Sequence, residues 1–361
     1  MPLYLGGLYG LQRQALANAL SVVVGIFQDG GALLAILAVP TIGAFMSWHL
    51  ASGVVAVIVA AAVLRHAIPK VPGVRRFSRE AWVNSYRFGA GWFGHSAGSA
   101  IVTQADKVLV TRFIPLGAFG YYSIAQSLAT FLMTLISPVQ VAAFPRLAQL
   151  VGAGDRAGVE QEYERASEYM ALLLFPSAAV LIAFAPSVLL AWTRKSDVAA
   201  NSSALLQIFV AGACCAGVAA MLTTVQGAYG WLRAMVTTSL TAAALAFPLT
   251  YLGVTTLGVR GAAMAWTLLS SALLITAPFA HRKLGLGPVW RWFGASVILP
   301  AAAAAAVAFL GRLLVPALEP RSFLFLVSIG LVWLCCCAAA ALVLPHVRAS
   351  VRELHLRLRP A

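Results

Sequence analysis

Trp92, His95, Ser99, Thr103 and Asp106 recur at spacings of three and four residues, so a helix brings all five to one face. They lie in an apolar stretch. A charge inside a membrane-spanning segment costs about 2.5–3.5 kcal/mol on insertion scales and therefore turns toward a cavity or a partner. Lys107 and Arg112 follow at the end of the same stretch and bring positive charge. Two chemistries are open to this set. The face lines a polar cavity, with Asp106 holding a cation or neutralising Lys107; or Asp106 and Lys107 form caps or an ion pair near the interface, and His95 is satisfied by a neighbouring helix. Gly91, Gly94 and Gly98 lie beside the stripe and suit close helix approach.

Two further places carry polar groups among apolar residues. Tyr122, Gln126, Thr130, Thr134 and Ser137 share a broad helical face. Hydroxyls there commonly bond back to their own helix, so packing is their expected role, with Gln126 kept as a cavity candidate. Asp29 precedes Gly30 and Gly31. An acid beside a Gly-Gly step inside a membrane reads as a hinge or ion site; the alternative is a helix that ends earlier and leaves Asp29 in water.

The elements that position these residues follow from composition. Of 361 residues, 61% are hydrophobic and 10% charged, with a mean hydropathy of +0.88; soluble domains carry about 25% charged residues. Ten apolar runs of spanning length emerge: Ala15–Val39, Thr41–Leu64, Phe88–Val110, Gly117–Ala143, Met170–Trp192, Ser203–Thr224, Ala234–Leu252, Val259–Ala280, Phe293–Leu313 and Ser322–Leu344. None alternates with period two, so the expected class is an all-α polytopic membrane protein with ten transmembrane helices.

Lys and Arg fix the expected direction. Eighteen lie on one side, among them Arg13, Lys70, Arg146, Arg233, Arg291 and Arg352; six lie on the other, Arg112, Arg194, Lys195, Arg260, Arg312 and Arg321. The bias places both termini in the cytoplasm and accounts for the net charge of +14 without nucleic acid. Residues 144–169 read as a short amphipathic helix feeding the fifth span, and 345–361 as a basic tail, either interfacial or solvated. Cys214, Cys215 and Cys335–Cys337 lie in apolar runs with no metal-ligand spacing and read as packing residues. No cofactor, metal or catalytic group is implied. No cleavable signal peptide is visible, and a multi-spanning protein needs none.

An internal repeat is the most informative pattern. GLYGLQRQALANAL at 7–20 matches GAYGWLRAMVTTSL at 227–240 at an offset of 220; GAFMSWHLAS at 43–52 matches GAAMAWTLLS at 261–270 at an offset of 218. Two matches in the same order imply a duplication, with both copies in the same orientation. Four spans precede the second copy and six residues the first, so relatives are expected to carry four more helices, about 130 residues, ahead of Met1.

With the halves aligned, the chain resembles the Wzx-type polysaccharide flippases of the multidrug/oligosaccharidyl-lipid/polysaccharide exporter superfamily. The likeness is sharpest at QADKVLVTRFIPLGAFGYYSIAQSLA, Gln104–Ala129, and returns in AFPRLAQL, GDRAGVEQEYERASEY and the GAAMAW helix start. It implies a two-lobed fourteen-helix fold of which this chain holds helices five to fourteen. Residues 1–64 would close the N-terminal lobe, 65–87 form a basic cytoplasmic linker, 88–280 the six-helix C-terminal lobe, 281–344 two additional helices and 345–361 the cytoplasmic tail. The implied activity is not enzymatic: it flips polyprenyl-pyrophosphate-linked oligosaccharide, a lipopolysaccharide or exopolysaccharide precursor, across the bacterial inner membrane by alternating access. Expected partners are that lipid-linked oligosaccharide, the bilayer, a polysaccharide polymerase and glycosyltransferases, and no nucleic acid. Sugar hydroxyls and a pyrophosphate would find hydrogen-bond partners and charge in Asp106, Lys107, His95, Thr103, Arg112, Gln126 and Asp29. The alternatives are a cation antiporter of the multidrug and toxin extrusion type, or a polyprenyl-dependent membrane transferase. The short outer loops carry only Asp197 and Glu319 as acids and cannot build a two-carboxylate or metal site.

Overall fold

Pro40 cannot continue a helix and drives the residue before it into extended backbone, and here the first hairpin of the chain turns. A computed structural model describes residues 1–11, 13–68, 78–314 and 322–357. The described residues form an all-α protein in two compact units, Met1–Arg79 and Glu80–Ala361. The first unit holds α1 (Pro2–Gly10), α2 (Gln14–Ala38) and α3 (Ile42–Ala67). Val39 is extended, and the Thr41 hydroxyl caps α3 by accepting from the Ala44 N–H at 3.2 Å. Trp48 fixes α3 on α2. Its Nε1 donates to the Gln28 carbonyl at 3.1 Å, and its ring lies where a side chain on Gly31 would be.

The second unit begins with α4 (Arg79–Phe113) and α5 (Leu116–Gly152), then α6 (Arg156–Ala183), α7 (Ala185–Thr193), α8 (Ser196–Ala228) and α9 (Leu232–Ala272). It ends with α10 (Ala277–Leu284), α11 (Val289–Phe293), α12 (Leu299–Leu314), α13 (Phe323–Val343) and α14 (Pro345–Arg357). The expected helix over 144–169 feeding the fifth span holds for 156–169, which open α6 and run on into that span, and is corrected for its first part. Residues 144–152 continue α5 through Pro145, and α6 starts at Arg156, where Asp155 caps it by accepting from the Gly158 N–H at 2.9 Å. α8 is central, packed on α5, α6, α7 and α9, while α12 and α13 pack on α6. Tyr122, Leu132, Ile136, Met170, Leu206 and Phe209 form the middle of this core.

Eight helical runs among the described residues are long and apolar enough to cross a membrane. α4, which holds the expected third span, is not one of them, because His95, Gln104, Asp106, Lys107 and a charged first half dilute its apolar surface. One of the eight, Leu232–Leu284, is 53 residues long. Straight, it would reach about 80 Å, more than twice the roughly 30 Å of a bilayer core. It instead folds back at Gly258, whose φ of 61° and ψ of −141° no other residue type adopts readily. The Gly253 and Gly261 backbones touch across this turn, so the run holds both the seventh and the eighth expected spans.

The two repeat segments share their helix ends at one offset of 218. α1 ends at Gly10 and α8 at Ala228; α2 starts at Gln14 and α9 at Leu232; Pro40 stands where Gly258 does. The Arg13 N–H donates to the Leu8 carbonyl at 3.0 Å, and the Trp231 N–H to the Gln226 carbonyl at 2.9 Å, the same bond in each copy. The Gly-x-Tyr-Gly match at 220 is therefore two residues out of step with the helices. Gly10 is the last residue of α1, whereas Gly230 lies beyond the end of α8 with φ 66°.

Of the remaining expectations, Lys70, Arg75, Arg76, Glu319, Arg321, Leu358 and Arg359 lie outside the described residues. The tail is helical from Pro345 to Arg357, and Val347 at its start is buried.

Candidate functional site

α4 and α5 are joined through one carboxylate. Asp106 is 1% exposed. Its Oδ2 accepts from Tyr122 Oη and from Gln126 Nε2, each at 2.6 Å, and its Oδ1 accepts from the Lys107 backbone N–H at 2.8 Å. Tyr122 and Gln126 are four residues apart on α5 and so meet one point on α4. Tyr122 is fully buried and its ring meets Phe209 of α8 edge-on at 4.9 Å. Three donors on two oxygens compensate the buried charge. The Lys107 side chain is half-buried and forms no ion pair with Asp106.

The rest of the polar face separates along the helix. His95 Nδ1 lies 3.1 Å from Ser239 Oγ of α9. Because Ser239 gives its own proton to the Met235 carbonyl at 2.6 Å, the ring nitrogen is the donor. The Thr103 hydroxyl bonds back to the Ser99 and Ala100 carbonyls of its own helix and is exposed. Arg112, in the last turn of α4, is exposed. Asp29 belongs to the first unit. It is exposed on α2, which continues unbroken through Gly30 and Gly31 to Ala38. The structure therefore brings Asp106 and Gln126 together, sets His95 of α4 against Ser239 of α9, and gathers neither Thr103 nor Arg112 with them.

The glycines beside the stripe form a contact face. A Cβ on Gly91 would meet Leu232, on Gly94 Val236, and on Gly98 the carbonyl carbon of Ser239 at 2.8 Å. The partners rise in the same order on both helices, so α4 and the first leg of α9 run parallel. The absence of side chains lets their backbones close on each other.

Sequence reasoning missed a second polar site. Glu168 of α6, 3% exposed, accepts from the His346 and Val347 backbone N–H groups at 2.8 and 3.3 Å and from His346 Nδ1 at 2.8 Å. Tyr169 and Ser350 add a hydroxyl pair at 2.7 Å. A single acid at the edge of an apolar run was the available signal. Nearby, Trp292 donates to Ser167 Oγ at 3.0 Å, and His281 lies between Tyr163 and the Gly287 carbonyl. No buried polar side-chain atom among the described residues lacks a partner.

These features define a multi-pass helical membrane protein whose buried polar groups hold its helices together. The chain belongs to the polysaccharide biosynthesis protein family, which it matches over residues 12–195, just over half its length. Its fold is similar to that of the lipid II flippase MurJ in an inward closed conformation, with a TM-score of 0.63 at 13% identity. The likeness covers 88% of this chain and 66% of that one, so the chain spans just under two thirds of MurJ. No curated protein matches it. The resemblance read from Gln104–Ala129 thus holds at the level of family and fold.

Proposed function

We propose that the chain is the translocating part of a flippase. It carries a polyprenyl-pyrophosphate-linked oligosaccharide from the cytoplasmic to the outer leaflet of the bacterial inner membrane by alternating access. The observation that carries this reading is family membership over residues 12–195 combined with a flippase-like fold over 88% of the chain. Ten spans then take positions five to fourteen of a two-lobed fourteen-helix arrangement, with both termini cytoplasmic. Residues 1–64 belong to the first lobe, 88–280 to the second and 281–344 to two additional helices. The parallel pairing of α4 with the first leg of α9 supports this, since both helices start on the cytoplasmic side in that topology. A polysaccharide polymerase and glycosyltransferases would act on either side of the transport step.

Within this reading Asp106, Gln126 and Tyr122 form a closed latch between α4 and α5. The carboxylate meets a substrate or a coupling cation only when the latch opens. Lys107 and Arg112 offer charge to the pyrophosphate, His95 and Thr103 hydrogen bonds to sugar, and Asp29 a polar point on the first lobe. The test is expression of the natural gene product in a strain deleted for its own lipid-linked oligosaccharide flippase, with surface glycan and cationic-dye efflux measured together. Restored glycan with unchanged efflux is expected. Efflux gained without glycan would overturn the reading in favour of a cation antiporter.

A further inference from the structure

The end of α5 and the start of α6 enclose a cleft of about 630 Å³, well away from Asp106 along α5. Its wall changes character along its length. Arg146, Glu162 and Arg165 stand at the end nearest the turn between the helices; Pro138, Ala142 and Leu173 line the other end. From Pro138 to Arg146 the helix rises about 12 Å. Neither arginine is ion-paired among the described residues, and both are exposed. Arg165 lies over the Tyr169 ring at 5.7 Å, which orients its guanidinium at the cleft. Pro138 and Pro145 each remove a rung from the α5 hydrogen-bond ladder and crowd the preceding turn, which loosens α5 along this wall.

Two arginines against one glutamate leave a net positive mouth above an apolar trough, in a protein whose helices cross a membrane. Both prolines lie inside a 37-residue helix, about 55 Å long, that outreaches the roughly 30 Å hydrocarbon core. The apolar run of α5 ends at about Ala143 and that of α6 begins at Met170, so Arg146, Glu162 and Arg165 stand beyond the apolar residues, which sets the polar mouth toward the headgroups and the trough toward the acyl region. We propose that this cleft is a binding site for an anionic phospholipid of the surrounding leaflet. The guanidinium groups of Arg146 and Arg165 take its phosphate, and one acyl chain lies along Ala142 and Leu173. The cleft lies three or more helical turns along α5 from Tyr122 and Gln126, and its test does not depend on what is transported.

The test is native mass spectrometry of the full chain titrated with phosphatidylglycerol, phosphatidylcholine, inorganic phosphate or undecaprenyl phosphate. Phosphatidylglycerol is expected to bind at least about tenfold tighter than phosphatidylcholine and to resist displacement by inorganic phosphate. The R146Q/R165Q double variant should lose that preference, and Ala142→Trp, which fills the trough and leaves both arginines, should weaken binding by a similar factor. Equal binding of the two phospholipids, or full retention of phosphatidylglycerol by both variants, would overturn the proposal. Displacement by undecaprenyl phosphate at equal or lower concentration would overturn the phospholipid as occupant.

Discussion

Glu168 holds His346 twice, through the backbone N–H and through the ring, across 178 residues of chain. The two contacts, with a third from Val347, dock the start of α14 on α6. The first N–H groups of a helix have no partner within it, and a carboxylate there is favoured by the helix dipole. This explains why the tail begins as a fixed helix.

Glu168→Ala strips those groups of their acceptor at a buried point, which costs about 1–3 kcal/mol. Amide exchange over 345–357 should accelerate about tenfold or more while exchange in α8 stays unchanged. Identical protection of the tail in the variant would show that Glu168 does not hold it.

Asp106→Asn keeps the volume but sets an amide donor either against Tyr122 and Gln126, in place of Oδ2, or against the Lys107 N–H, in place of Oδ1. A loss of about 2 kcal/mol in stability follows, with a smaller loss for Tyr122→Phe, which removes one donor and leaves the other two. Thermal unfolding in detergent, together with surface glycan at matched abundance, reads both. Wild-type values for Asp106→Asn would remove the latch from the account.

At Gly98 an added methyl meets the Ser239 backbone, which has no rotamer to move; at Gly89 it meets nothing within 4 Å. Gly98→Ala should therefore destabilise by about 1–3 kcal/mol, and Gly89→Ala should be neutral or slightly stabilising. Equal melting temperatures for the pair would contradict the parallel contact between α4 and α9.

Gly258→Ala places a side chain in backbone that only glycine enters readily, at a cost of about 1–3 kcal/mol. Limited proteolysis at the turn should increase.

Topology is checked by reporter fusions at Lys195 and at Gly154, on successive turns of the second unit. Opposite signals are expected, outer at Lys195 and cytoplasmic at Gly154. The same sign at both would overturn the reading of Met170–Trp192, which spans the end of α6 and α7, as one crossing.

Composition and spacing made the helical class and most span positions legible, because burial in lipid leaves a long apolar run with little choice of structure. The glycines of α4 were legible as a contact face, but their partner was not, since nothing in 91–98 specifies Leu232, Val236 or Ser239. Tyr122 and Gln126 are visible at helical spacing, Tyr122 as a packing residue and Gln126 as a cavity candidate; what spacing could not show is that both aim at Asp106. The Gly-x-Tyr-Gly pair misled by two residues, because a glycine can either finish a helix, as Gly10 does, or follow one in left-handed backbone, as Gly230 does.

Pro40 and Gly258 stand at corresponding turns of the two repeat segments with opposite chemistry. Proline fixes its own φ and restricts the residue before it, so covalent structure narrows the range of the first hairpin, and the Trp48–Gln28 hydrogen bond holds it there. Glycine sets almost nothing, so the angle of the second hairpin is held by what surrounds it, chiefly the Gly253–Gly261 backbone contact. Once that contact loosens, the second hairpin has a wider range of backbone conformations in which to change its opening angle than the first. Two halves with matching helix ends thus differ in mechanical compliance, and the compliant one carries Ser239 and the surface on which α4 rests.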